Sequence, residues 1–321
     1  MVSSEERERI RGSLLGLAVG DALGTTVEFQ SRDSYPPVGD MVGGGVFRLK
    51  PGQWTDDTSM ALCIAVSLVE TGGYDPVDQL RRFVRWRREG YLSSTGRCFD
   101  IGNQTAWALD QFEATGEPYR EDDGGRSAGN GSLMRLAPMA MAFSDDPALA
   151  RQLCADSSRT THAAAVCVEA CGAYGQLIAA AIQGGYRTEL YELAEQLADG
   201  VTSQELAAIL RGSYRVKDRM EISSSGYVLH TLEAALWAFA SSDDYEDGVL
   251  LAVNLGDDAD TVGAVYGSLA GAYYRDVDIP RSWRRQVHDY EMIHDLADRI
   301  ADGVGEFRYP TPGPRRASQA S

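Results

Sequence analysis

The chain has 321 residues, 44% of them hydrophobic, and a formal net charge of −17. This apolar content suits one large core or at most two domains and excludes a chain disordered by composition. The acidic balance argues against a nucleic-acid partner held by its phosphates, which needs a basic face; it suits divalent cations, or simply a solvated acidic surface.

The N-terminal SSEERERIRG, from Ser3, is too charged for a signal peptide. Apolar positions at three- and four-residue steps then predict helices over 6–20, 57–70, 76–88, 103–115, 131–143, 147–156, 162–182, 188–199, 203–211, 229–240, 246–254, 261–273 and 283–302. Strand signals are scarce, and no fixed repeat or Pro/Ser-rich linker interrupts the pattern. The expectation is an all-α fold, one multi-helix domain over residues 1–309, with a disordered tail at 310–321 (PTPGPRRASQAS). The longest apolar runs read as too short, or too interrupted by charge, to cross a bilayer, so a cytoplasmic protein is expected. Five cysteines without dense spacing make no disulfide framework. Cys167 and Cys171, four apart on an expected helix, read as core packing.

Two of the expected helices carry glycine every fourth residue: Gly12, Gly16, Gly20 and Gly24 in one, Gly263, Gly267 and Gly271 in the other. Glycine costs a helix interior roughly 1 kcal/mol relative to alanine, and a stripe of it lets a second backbone approach closely. Asp21 and Glu28 follow the first stripe, and Asp258 and Asp260 precede the second, so tight packing there would hold carboxylates rigidly.

Thr55-Asp56-Asp57 enters one helix, and Asp258-Ala259-Asp260-Thr261 enters another. A single such segment reads equally as a good helix cap. Caps need one acid, however, and two clusters more than 200 residues apart in sequence suit hard divalent cations, which take several carboxylate and hydroxyl oxygens. Counting from Asp258, position 12 is Leu269 rather than an acid, which excludes an EF-hand. Thr261 follows Asp260 directly, which excludes an aspartyl-phosphate phosphatase motif, and the glycines match no Walker or dinucleotide pattern.

An ordered set of segments accompanies these clusters: GLAVGDALGTTVEF (16–29), WTDDTSMAL (54–62), CFDIGNQT (98–105), GNGSLMRLAPMA (129–140), THAAAVCVEA (161–170), SSSGYVLHTLEAALWAF (223–239) and NLGDDADTVGAVYGSLAGAYY (254–274). In that order they resemble the ADP-ribosylglycohydrolase family, over about residues 8–275, and look most similar to its bacterial dinitrogenase reductase-activating branch. The resemblance implies an all-α fold with two Mg²⁺ or Mn²⁺ ions in a central cleft. Thr55, Asp56 and Asp57 would hold one ion, and Asp258, Asp260 and Thr261 the other, with Asp260 bridging. Asp257 stands where the family often has glycine; Asp258 is preferred as the ligand because it keeps the D-x-D-T spacing.

The resemblance further implies that Glu28 and Asp100 are catalytic beside Asp56 and Asp260, and that Asp100, Gly102, Ser127, Gly129, Asn130, Gly131, Ser132, His162 and Tyr227 bind substrate. Each has a plainer reading. Gly129-Asn130-Gly131 opens an expected helix whose free N–H groups suit a diphosphate, but Asn-Gly is also an ordinary turn. Asp100 suits a cap for the helix that follows it, His162 a structural histidine, and Tyr227 either a core tyrosine or a stacking platform for adenine or a guanidinium. The expected reaction is release of ADP-ribose from an acceptor, an arginine on a protein being preferred, by a monomer. A non-catalytic ADP-ribose binder, a hydrolase of O-acetyl-ADP-ribose and a different dinuclear hydrolase are the alternatives.

Overall fold

Ser3 and Glu6 start the first helix by reciprocal capping: the Ser3 hydroxyl accepts from the Glu6 N–H at 3.1 Å, and the Glu6 carboxylate from the Ser3 N–H at 2.6 Å. In the computed structural model, which describes residues 2–309 except 123, 126 and 127, this helix is α1, Ser4–Gly24. The expected tail at 310–321 lies outside the described residues. The remaining helices are α2 (Asp56–Thr71), α3 (Pro76–Glu89), α4 (Asn103–Thr115), α5 (Ala137–Ala142), α6 (Pro147–Ser158), α7 (Ala165–Ile182), α8 (Arg187–Ala198), α9 (Gln204–Leu210), α10 (Val228–Ala240), α11 (Tyr245–Val253), α12 (Ala259–Tyr274), α13 (Arg281–Gln286) and α14 (Tyr290–Gly303). Among the described residues there is no strand, only isolated bridges such as Gly129–Tyr227, so the fold is all-α as expected.

The two glycine stripes face each other. Helices α1 and α12 run antiparallel at the centre, in extensive contact along their length. A methyl group added at Gly16 would lie 2.2 Å from the Gly267 carbonyl oxygen; one at Gly20 would lie 2.0 Å from that of Gly263, and one at Gly12 2.1 Å from that of Gly271. At these positions only hydrogen fits. Ser13 Oγ donates to the Ser268 carbonyl at 2.9 Å, and Tyr245 Oη to the Gly16 carbonyl at 2.8 Å, which fixes the register. In that register the C-terminal end of α1 meets the N-terminal end of α12, and Gly24 packs on Ala259 and Asp260.

Three expectations change. The helix foreseen at 131–143 is reduced to Ala137–Ala142. Pro138 has no N–H to give to Met134 and disfavours helix in the residues before it, so 131–135 form turns. The helix foreseen at 283–302 is two, α13 and α14. Between them Asp289 takes a left-handed φ of 48°, and the His288 N–H donates to the Gly52 carbonyl at 2.9 Å, a tertiary bond that displaces the helical one. Finally, α7 is long and apolar enough to cross a membrane by length and composition, contrary to the reading of its sequence; in this fold most of it is buried against α6, α12, α5 and α10.

Gly267→Ala is expected to destabilise the protein by about 3 kcal/mol, the upper range for overpacking where backbone rather than a flexible side chain must move. Gly39→Ala, where an added methyl meets nothing within 4 Å, should be near neutral. Urea unfolding of the two variants measures the difference.

Candidate functional site

The site begins with a cap supplied from elsewhere in the chain. Asp21, on α1, is fully buried. Its Oδ1 accepts from the Thr55 N–H at 2.9 Å and Thr55 Oγ1 at 3.0 Å, and its Oδ2 from the Thr58 N–H at 3.0 Å and Thr58 Oγ1 at 2.6 Å. Asp21 thus satisfies orphan donors at the start of α2. Thr55, although it stands at the N-cap, makes no side-chain cap bond, and neither does Asp258 at the start of α12. The reading of these acids and hydroxyls as ordinary caps is therefore set aside: their side chains point at one another across the junction.

Thr55 Oγ1 lies 3.1 Å from Asp57 Oδ2 and 3.2 Å from Asp260 Oδ2, besides Asp21. Thr261 Oγ1 lies 3.5 Å from the same Asp57 oxygen. One hydroxyl proton at Thr55 thus faces three carboxylates and can serve only one. Asp57 Oδ1 and Asp260 Oδ1 are buried without a hydrogen-bond partner. Glu28, Asp258 and Asp260 bring one oxygen each within 4.8 Å of one another. Such an excess of hard oxygen acceptors calls for protons or cations, and the donor set fits a hard divalent ion.

Without an ion, protons take that role. Burial first, and then the negative charges of Asp100 and Asp258, push Glu28 up to about 10. Asp100 is pushed up to about 7 by burial, opposed by its hydrogen bond from Glu28. Burial and the neighbouring carboxylates raise Asp56, Asp57 and Asp260 well above the usual carboxylate range, and burial raises Asp258. Burial also lifts Asp21, to about 6, against the four hydrogen bonds that favour its charged form. Asp100 is not the cap of α4, where Gly102 stands. It adopts a left-handed φ of 61° and hydrogen-bonds the Glu28 and Asp56 carboxyls. Asp257 is exposed, and Asp258 belongs to the cluster.

Above the cluster opens a cleft of about 640 Å³, in the range of small-molecule sites. Glu28, Asp56, Asp100, Asp258 and Thr261 line it, together with Gly102, Gly129, Asn130, Gly131 and His162. Thr55, Asp57 and Asp260 are buried. Asn130 Nδ2 donates to Asp258 Oδ2 at 2.6 Å, tying the Gly-Asn-Gly segment to the acids. A methyl group at Gly131 would come within 2.9 Å of the His162 ring, so glycine there lets the imidazole pack against the backbone.

Other residues expected to bind substrate are engaged within the fold. Gly129-Asn130-Gly131 opens a turn, not a helix, and the Asn130 N–H is occupied by the Gly226 carbonyl at 3.1 Å. Ser132 is buried, its hydroxyl accepting from Ser158 Oγ at 2.8 Å. The Tyr227 side chain points to Glu205, its Oη 3.2 Å from Oε2, with its ring against His230. Tyr227 stands at the N-cap position of α10, and its backbone bridges to Gly129, a residue of the cleft lining. Ser127 lies outside the described residues.

Two residues had no assigned role in the sequence. Asp21 is one; its signal was a lone acid in the apolar, glycine-striped C-terminal half of its helix. Arg135 is the other, fully buried, donating to the Gly131 carbonyl at 3.0 Å, Thr160 Oγ1 at 3.2 Å and Thr161 Oγ1 at 2.7 Å. Thr161 Oγ1 in turn lies 2.8 Å from His162 Nδ1, so Arg135 braces both the glycine turn and the histidine.

A family model described as ADP-ribosylglycohydrolase matches residues 3–308. The chain belongs to the ADP-ribosylglycohydrolase family. By that membership it is a glycohydrolase. It is similar to the ADP-ribosylarginine hydrolase Tri1 of Serratia proteamaculans, 42% identical over 92% of this chain and 80% of the relative. It is also similar to the ADP-ribosyl-[dinitrogen reductase] glycohydrolase of Rhodospirillum rubrum, 33% identical over 88% of this chain and 91% of the relative. A solved structure titled "ADP-ribosylglycohydrolase-related protein complex" superposes with a TM-score of 0.84 at 43% identity, covering 94% of this chain and all of that one. The expected branch is corrected: the Tri1 relative is more similar than the dinitrogen reductase enzyme. The motifs behind the resemblance surround the cleft and its supporting helices, and so they report the family rather than the branch.

Two outcomes follow from the cluster. Carboxylates whose folded-state pKa is raised cost nothing below their unfolded values near pH 4 and destabilise the fold progressively as pH rises toward the folded values. The ion-free protein should therefore melt lower at pH 8 than at pH 5, and Mg²⁺ or Mn²⁺ should raise the melting temperature more at pH 8; calorimetry with and without chelator reads both. Asp21→Asn presents an amide N–H₂ where two donors already point, and should weaken divalent-ion binding by about tenfold or more by misplacing Thr55; isothermal titration measures it.

Proposed function

We propose that this chain hydrolyses the glycosidic bond between ADP-ribose and an arginine side chain of a modified protein, releasing ADP-ribose. The observation that carries this reading is the acceptor-rich carboxylate cluster at the floor of the cleft, where one Thr55 hydroxyl faces Asp21, Asp57 and Asp260. The relatives named for ADP-ribosylarginine and for ADP-ribosyl-[dinitrogen reductase] support the substrate class.

Thr55, Asp56 and Asp57 would hold one divalent ion and Asp258, Asp260 and Thr261 a second, with Glu28 close enough to join Asp258 and Asp260. We assign Mg²⁺ or Mn²⁺, since the donors are all hard oxygens. Bound ions supply Lewis acidity toward the ribose hydroxyls and a water of lowered pKa. Gly129, Asn130, Gly131, Gly102 and His162 line the part of the cleft we assign to the diphosphate side of the substrate. Glu28 and Asp100 are hydrogen-bonded at the cleft wall, so one proton is held between two carboxylates beside the assigned reacting carbon. An oxocarbenium-like transition state is expected, as in other glycoside cleavage. The departing guanidine is a strong base and takes up a proton, which this pair would provide.

The test is incubation with Mg²⁺ or Mn²⁺ and ADP-ribosyl-arginine, following free ADP-ribose by chromatography. Wild-type protein should release it. Asp56→Ala and Asp260→Ala should each lower kcat/KM by about a thousandfold, the scale of losing a preorganised charge at the reacting centre. Each should also melt no lower than wild type without ions, because a mutually repelling buried acid has been removed. Release unaffected in both variants would move the site elsewhere.

A further inference from the structure

An aromatic ridge borders the cleft on the side of Glu28 and Asp100. Phe29 follows Glu28, Phe99 precedes Asp100, and Phe47 joins them, its ring 6.3 Å from Phe29 and 5.0 Å from Phe99. Phe29 and Phe47 both line the cleft. Phe29 is nonetheless 64% exposed. Its backbone is also unusual, with a left-handed φ of 61°, a conformation unfavourable for a bulky residue. It is held by two backbone bonds, from the Phe29 N–H to the Asp257 carbonyl at 2.7 Å and from the Asp257 N–H to the Gln30 carbonyl at 2.8 Å; Asp257 itself has a φ of 54°. Core packing accounts for neither the strain nor the exposure of the Phe29 ring. Strained backbone that presents an apolar ring at the mouth of a site is a feature of binding rather than of stability.

We propose that Phe29, backed by Phe47 and Phe99, is the acceptor subsite, taking the guanidinium and aliphatic stem of the substrate's arginine. This rests on the functional reading above. With the diphosphate side at Gly129, Gly131 and His162 and the reacting carbon at the carboxylates, the leaving group departs along the wall that Glu28 and Asp100 share with Phe29 and Phe47. That wall suits a guanidinium on both counts: a ring face attracts a planar cation, and the net charge of −17 favours its approach. The stem methylenes would cover apolar surface that water now touches.

The experiment compares wild type, Phe29→Ala and Phe29→Tyr. Steady-state kinetics on ADP-ribosyl-arginine and calorimetric affinity for ADP-ribose, which lacks the acceptor, are both measured with the same divalent ion. Phe29→Ala should lower kcat/KM by about five- to tenfold, the range of a partly desolvated cation–π contact, and leave ADP-ribose affinity within about twofold of wild type. Phe29→Tyr, which keeps the ring face, should restore the wild-type value. Unchanged kcat/KM in Phe29→Ala overturns the subsite while leaving the functional reading intact. An equal loss of ADP-ribose affinity assigns the ring to the nucleotide and overturns it as well. A wild-type protein that does not cleave ADP-ribosyl-arginine removes the functional reading, and the subsite with it.

Discussion

Helices α1 and α12 touch backbone to backbone, with carbonyl oxygens where side chains would ordinarily stand. This contact fixes more than the centre of the bundle. An antiparallel pair in a single register has one end where the C-terminus of one helix meets the N-terminus of the other, and here that end carries Asp21 on one side and Asp258, Asp260 and Thr261 on the other. Helix α2 then docks onto α1 through Asp21 and brings Thr55, Asp56 and Asp57 to the same point. Residues far apart in sequence become neighbours because three rigid helix ends converge, each held by bonds independent of the ion. Any looser α1–α12 interface would let the ligands spread.

The cost of this arrangement is electrostatic. Asp21, Glu28, Asp56, Asp57, Asp100, Asp258 and Asp260 crowd one largely buried junction, and each is raised above its ordinary pKa with burial as the first cause. A single member of such a set would be expensive to bury ionised. The fold tolerates the whole set because the apolar packing around it is continuous, from Leu14 and Leu17 of α1 to Val262 and Val265 of α12. Asp21 has a different task from the other six. By satisfying the N–H groups at the start of α2 it relieves Thr55 of capping, and the Thr55 hydroxyl sits among Asp21, Asp57 and Asp260.

Much of this was legible in the sequence because it was written as pattern. Glycine every fourth residue in two separate helices can have few causes other than a close backbone approach, and acids beside both stripes made the junction visible. The D-x-D-T spacing points to Asp258, which joins the cluster, rather than Asp257, which is exposed. What escaped was everything set by tertiary hydrogen bonding. Nothing local says that Asp21 caps α2 rather than facing the cleft, or that Arg135 is buried beneath a glycine turn. Nor does the Ser/Gly loop around Tyr227 say that its backbone bridges to Gly129 or that its hydroxyl meets Glu205. Pro138 was visible, but its effect on the preceding turns was underweighted against the apolar periodicity of 131–143. The break between α13 and α14 depends on Gly52, more than 200 residues away in sequence.

The depth of the cleft separates two kinds of recognition. At its floor, hydrogen-bond donors are so few that Asp57 Oδ1 and Asp260 Oδ1 have none, and the donor set there fits a hard cation. With divalent ions bound, the field of that floor would no longer distinguish a guanidine from a hydroxyl or an ester as leaving group. Discrimination between acceptors must then come from groups that touch the acceptor itself, above the carboxylates. The groups at that height on the Glu28 and Asp100 wall are aromatic rings, whose faces select for planar cations and whose charge does not change with pH or with ion occupancy. In this arrangement the carboxylates can set the chemistry and the ridge the acceptor, and either can change without rebuilding the other.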